Sequence, residues 1–105
     1  MNTCEILTAA KSLISDRNNW TQGDFAVDSC GKDVSIRSDR AVKFCAIGAV
    51  RRTGHKNNVD YSWAEHLLSE TAKLYHDDEI THVNDTCGHS TVLGLFDKAI
   101  ELSKE

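Results

Sequence analysis

The chain has 105 residues, 40% hydrophobic and 27% charged, with a net charge of −4 and an isoelectric point near 5.7. That length is expected to form one domain, residues 1–105, around a single core. The acidity disfavours direct nucleic-acid binding, which calls for a basic face. No apolar run nears the roughly 20 residues that span a bilayer, so no membrane partner is expected.

The first predicted helix covers 3–16, where Ile6, Leu7, Ala10, Leu13 and Ile14 recur at the spacing of one helical face behind Thr3 as N-cap. Residues 20–36 lack that period. Phe25 and Val27 alternate with polar neighbours, as do Val34 and Ile36, with Gly31 between them. This pattern reads as an irregular segment or a weak β-hairpin. Ser38 is expected to cap a second helix, SDRAVKFCAIGAVRR, whose apolar residues cover most of its circumference and mark it as central. Gly48 inside it costs about 1 kcal/mol against alanine and implies that a neighbour approaches closely. TGHKNNV then reads as a loop, and Asp60 as the cap of a third helix. That helix places Trp63, Ala64, Leu67, Leu68, Thr71, Leu74 and Tyr75 on its buried face. DDEITHVNDTCGH reads as a connector with Ile80 and Val83 in a short extended piece, before a last helix from Ser90. The expected fold is therefore mainly α, a compact four-helix domain with a short irregular or weak β-hairpin segment between helices 1 and 2.

Several motifs carry a resemblance. Trp20-Thr21-Gln22-Gly23, the core Cys45-Ala46-Ile47-Gly48-Ala49, the pair Asn84-Asp85 and Phe96-Asp97-Lys98-Ala99-Ile100 stand in an order and spacing that resemble the bacterial and phage family catalogued as domain of unknown function 6197. The resemblance runs from about residue 5 to 102. It implies a bacterial or phage origin and marks Trp20, Cys45, Gly48, Asn84 and Asp85 as pattern positions. It brings no activity with it.

The densest polar stretch is HVNDTCGHST, residues 82–91. His82, Asp85, Cys87 and His89 are ligand types that zinc accepts, but their spacing is not that of a zinc module. The simpler reading is structural. Asn84 and Asp85 cap free amides or close a turn, Gly88 supplies a positive φ, and Ser90 or Thr91 caps the last helix. Cys45, about two turns inside its expected helix, reads as an inert core thiol; Cys87 is the more reactive one. The six glycines are dispersed, and no phosphate loop, nucleotide fingerprint or serine elbow occurs.

Charge is uneven. Residues 1–52 carry eight Lys/Arg against six Asp/Glu, and residues 53–105 carry four against ten. The expected function is that of a small acidic non-enzymatic binding protein, without a cofactor, whose partner is a host protein or ribonucleoprotein with a basic surface. By analogy with small acidic phage-borne domains, this extends to an inhibitor of a host defence system, anti-CRISPR-like in action. Glu65, Glu70, Asp77, Asp78 and Glu79 are the expected acidic contacts, with Trp20 a further contact where it lines a groove or interface; core or lid packing is its simpler reading. Two alternatives stand beside it. One is a metal- or ligand-binding protein or enzyme using the 82–91 loop, and the other a homodimer that buries Trp20. Four cysteines (Cys4, Cys30, Cys45, Cys87) with no recognisable secretory leader read as reduced thiols in the cytoplasm.

Overall fold

Asn2 opens the first helix. Its side chain accepts from the Glu5 amide at 2.8 Å, and the Glu5 carboxylate accepts from the Asn2 amide at 2.9 Å. This reciprocal box sets the cap one residue ahead of the expected Thr3, and α1 (Thr3–Ile14) follows. The computed structural model describes residues 1–104. Among these the chain forms five α-helices and a two-stranded antiparallel ribbon. The mainly α class stands, and the helix count rises by one.

The ribbon joins β1 (Ala26–Val27) to β2 (Lys43–Phe44), with Ala26 opposite Phe44 and Val27 opposite Lys43. The expected hairpin partner, Val34–Ile36, contributes only a bridge from Val27 to Asp33 and a bond from the Val34 amide to the Ala26 carbonyl at 3.1 Å. Its turn is well made. Asp28 accepts from the amides of Cys30 and Lys32, each at 2.9 Å, and Gly31 takes φ 81°. Those bonds hold the Asp28 carboxyl below its usual range, the Lys32 amide contributing most.

The pairing of 42–44 with β1 explains the largest departure from expectation. Val42 donates its amide to the Val27 carbonyl at 2.9 Å, and Cys45 donates to the Phe25 carbonyl at 3.2 Å. Residues 38–44 are thereby drawn out of the helix, and Ser38 only closes a local turn with the Arg40 amide at 3.1 Å. The central helix, α2 (Ala46–Asn57), begins at Cys45 as N-cap and runs through the stretch expected to be a loop. Gly54 does not break it. A Cβ there would lie 2.9 Å from Tyr61 Cβ, so glycine lets the next segment cross closely. Asn58, at φ 52°, closes the helix in the left-handed conformation that asparagine tolerates.

Asp60 accepts from the Ser62 amide at 2.9 Å in a turn ahead of α3 (Ser62–His76), but the N-cap is Tyr61, which makes no side-chain capping bond, so the expected cap moves one residue on. The buried face of α3 is Ala64, Leu68, Thr71 and Ala72. Trp63, Leu74 and Tyr75, expected on that face, are 62%, 68% and 50% exposed. The connector is also helical. α4 (Ile80–Thr86) buries Ile80, Val83 and Asn84 at helical spacing, replacing the expected extended piece. α5 (His89–Ser103) starts behind Gly88, whose φ is −80°, so this glycine caps without a positive φ and neither Ser90 nor Thr91 is the cap. Leu7, Ile14, Val50, Leu68, Val92 and Phe96 are fully buried where α1, α2, α3 and α5 meet. No described helix is long and apolar enough to cross a membrane.

Candidate functional site

The polar residues of the α4 region converge on the start of α2. Asn84, 1% exposed, is the hub. Its Oδ1 accepts from Trp20 Nε1 at 2.8 Å and from the Ala46 amide at 3.0 Å. Its Nδ2 donates to the Thr21 carbonyl at 3.0 Å and to Asp85 Oδ1 at 3.1 Å. All four hydrogen-bonding positions of the amide are used, and one of them caps a helix N–H that has no intrahelical partner. Asp85 Oδ1 also accepts from the Gly23 amide at 2.8 Å. Gln22 donates to the carbonyls of Asn84, Asp85 and Cys87 at 3.0–3.2 Å, covering the end of α4.

Gly48 completes this clasp. A Cβ at that position would sit 1.9 Å from the Phe25 carbonyl oxygen, so the backbone of 25 lies directly on α2. The close approach expected of Gly48 is present. Cys45 is not two turns inside the helix but caps it, its Sγ accepting from the Gly48 amide at 3.3 Å. Burial pushes its thiol pKa up, and the Asp85 carboxylate adds to the rise. Both effects favour the protonated thiol, at a position that caps the helix and does not lie two turns inside it.

The four residues considered for zinc do not come together. His82 is exposed and pairs with Asp78. Asp85 belongs to the clasp. Cys87 is half-buried at the end of α4, and His89 Nε2 lies 2.6 Å from the Ile14 carbonyl with its ring 5.3 Å from that of Trp20. Among the described residues no group of three or more His, Cys, Asp or Glu is placed to hold a metal ion. Of the capping reading of 82–91, the part that holds is Asn84 and Asp85 taking free amides, across the fold and not in the neighbouring helix; Gly88, Ser90 and Thr91 do not play their expected roles.

A cleft of about 440 Å³ opens beside the clasp, lined among others by Asp24, Phe25, Asp33, Cys45, Thr81 and Asp85. Asp24, Asp33 and Thr81 carry no pattern that singles them out in sequence. Gln22 was visible within the Trp-Thr-Gln-Gly motif, but nothing local shows that its amide reaches across to α4.

A second candidate surface is the outer face of α3. Trp63 leaves its expected core position, and Trp20 takes the packed role that was open to it. Trp20 is half-buried and engaged internally, while Trp63 stands in solvent against His66, ring centroids 5.2 Å apart. Of the five expected acidic contacts, Glu65 is bound by Arg51 at 2.7 Å, which holds the guanidinium pKa above its usual value, and Asp78 pairs with His82. Glu70, Asp77 and Glu79 make no ion pair among the described residues. Asp77 ends α3 at φ 52°, where the carbonyl end of the helix adds its own negative potential.

These features define a small helical domain whose polar residues knot one loop to two helices and whose most exposed apolar side chains lie on one helix. The chain belongs to the family of unknown function DUF6197, which it matches over residues 1–102. The resemblance drawn from its motifs therefore holds, and its pattern positions Trp20, Cys45, Gly48, Asn84 and Asp85 are all members of the clasp. No curated protein and no solved structure matches the chain.

Proposed function

We propose that the protein is a non-enzymatic binding domain that docks through the outer face of α3 and the acidic turn into α4 onto a basic macromolecular surface. The observation that carries this is the pairing of exposed Trp63 and Leu74 with the unpaired carboxylates Glu70, Asp77 and Glu79. Apolar side chains at this exposure mark interaction surfaces when they cluster with a polar rim. The carboxylates select a host protein or ribonucleoprotein with a basic patch. An inhibitor that occupies a nucleic-acid channel of a host defence system, as an anti-CRISPR protein does, is one form of this reading, drawn by analogy. Four free thiols fit a cytoplasmic setting.

Photo-crosslinking tests it. A benzophenone residue at position 63, in cells of the native host, is expected to trap one discrete protein, and the same residue at exposed Asn18 none. Reversing Asp77, Asp78 and Glu79 to lysine is expected to abolish the adduct. Equal adducts from both positions, or none from 63, would remove the reading.

The cleft beside Cys45 supports a second reading, a site for a small cationic ligand held by Asp24 and Asp33. Thermal shift against a panel of organic amines checks it; no shift with any amine at millimolar concentration rejects it.

A further inference from the structure

The geometry points to the kind of partner segment that α3 receives: we infer that it is a basic amphipathic helix, laid along the stripe Trp63–Leu67–Glu70–Leu74. This rests on the binding reading above and says what fills the surface. At 100° per residue these four positions fall within an arc of about 60°, and the stripe extends about 16 Å along the axis. That matches three turns of a second helix with apolar residues at i, i+3 or i+4, i+7 and i+11. Trp63 and Leu74 anchor the two ends at 62% and 68% exposure, and Leu67 lies half-buried between them.

A second copy of the chain could match the apolar anchors but not the charges. Packed antiparallel about a two-fold axis, Trp63 would meet the other copy's Leu74. The same operation brings the two Glu70 carboxylates within about 5 Å along the axis. Packed parallel, Glu70 would face Glu70 directly. Either arrangement confines like charges at a closing apolar seam, which strongly disfavours it. A partner helix carrying Lys or Arg beside its apolar stripe removes the conflict. Glu70, Asp77 and Glu79 stand on and beyond this face without an ion pair and outnumber the one lysine of α3, Lys73, while Lys98 lies over the Tyr75 ring; the carbonyl end of α3 favours cations at the same end.

The test uses the full chain and a labelled synthetic helix of about 18 residues, leucine on one stripe at i, i+4, i+7 and i+11 and lysine or alanine elsewhere. Fluorescence anisotropy in low salt is expected to show saturable binding, weakened more than about tenfold by Trp63→Ala or Leu74→Ala, the loss usual for an aromatic or apolar anchor. Glu70→Lys is expected to weaken it comparably. Asp77→Gly relieves a left-handed backbone that aspartate adopts reluctantly, so this variant folds at least as well while losing affinity. A scrambled peptide of the same charge, with leucines spread round the helix, should bind poorly. If it binds equally, the face only attracts polycations, which overturns the helix while leaving the acidic surface in place. If neither peptide binds, the inference falls, whatever the crosslinking shows. Sedimentation that gives a dimer lost in Trp63→Ala would assign the stripe to a second copy and overturn it too.

Discussion

Replacing Asn84 by leucine tests whether the clasp holds the loop, α2 and α4 together. Leucine has the branching of asparagine and suits a helix better, so no cavity opens, and the added bulk of its methyls can only deepen the loss. The change strips acceptors from Trp20 Nε1 and the Ala46 amide, and a donor from the Thr21 carbonyl. Ala46 is fully buried and cannot turn to water, whereas Trp20 and Thr21 are half-exposed and partly can. An unsatisfied buried donor costs about 1–3 kcal/mol, and the two half-exposed groups add roughly 1 kcal/mol together, for a loss of about 2–4 kcal/mol. Against a total stability of about 5–15 kcal/mol this is a large fraction. It corresponds to a fall in Tm of roughly 10–25 °C for a domain of this size. Urea denaturation followed by far-UV circular dichroism reads the change as a lower midpoint at unchanged slope. Trp20→Phe removes the indole donor with part of the ring, and the hydrogen-bond share of its cost should vanish in the Asn84→Leu background, a coupling of at least about 0.5 kcal/mol. A midpoint shift worth under about 0.5 kcal/mol, or full additivity of the two changes, would refute the hub role.

Gly48→Ala should lower stability by more than about 2 kcal/mol despite alanine's better helix propensity, because its Cβ meets the Phe25 backbone. Gly94→Ala, in α5 with nothing within 4 Å, should instead raise it by about 0.5–1 kcal/mol; the same denaturation series compares them, and equal signs would contradict the contrast. The Asp78 partner raises the His82 pKa, and the His82 hydrogen bond lowers that of Asp78. The Asp78 contribution is present above the unfolded value of about 3.9 and fades as pH falls through its folded value. The His82 contribution is present below about 6.5 and fades as pH rises through its folded value. The pair therefore helps most between about pH 4 and 6.5. Proton NMR should find His82 titrating above the ordinary imidazole value and returning to it in Asp78→Asn; an unchanged titration rejects the pair. Native-state alkylation at pH 8 should modify exposed Cys30 rapidly and buried Cys45 only at the rate of opening, so similar rates would contradict the burial.

Local chemistry determined much of this protein before any folding was considered. The apolar period of α1 and α5 and the Gly31 turn follow from neighbouring residues. The order of the family's motifs, which assigns the chain, was equally readable from the sequence. The need for a glycine at 48 was legible too, because its cost in a helix implies a close neighbour. Which neighbour was not. The Phe25 carbonyl arrives from a segment whose own sequence is irregular, and the same pairing turns Val42 and Phe44 from helix positions into a strand. Ser38 and Asp39 are a good helix start, but they lose to hydrogen bonds with residues 25–27 that no local window contains. Asn84 illustrates the same limit. Its type announces a polar partner, yet Trp20, Thr21 and Ala46 lie 38–64 positions away and only the packed chain brings them to it. The two tryptophans are decided at this level as well. Trp63 fits the apolar face of α3 in sequence, and only the packing of α3, which buries Ala64, Leu68, Thr71 and Ala72, leaves it outside. Short-range preference selects the elements, and long-range pairing selects which of their faces and ends are free to act.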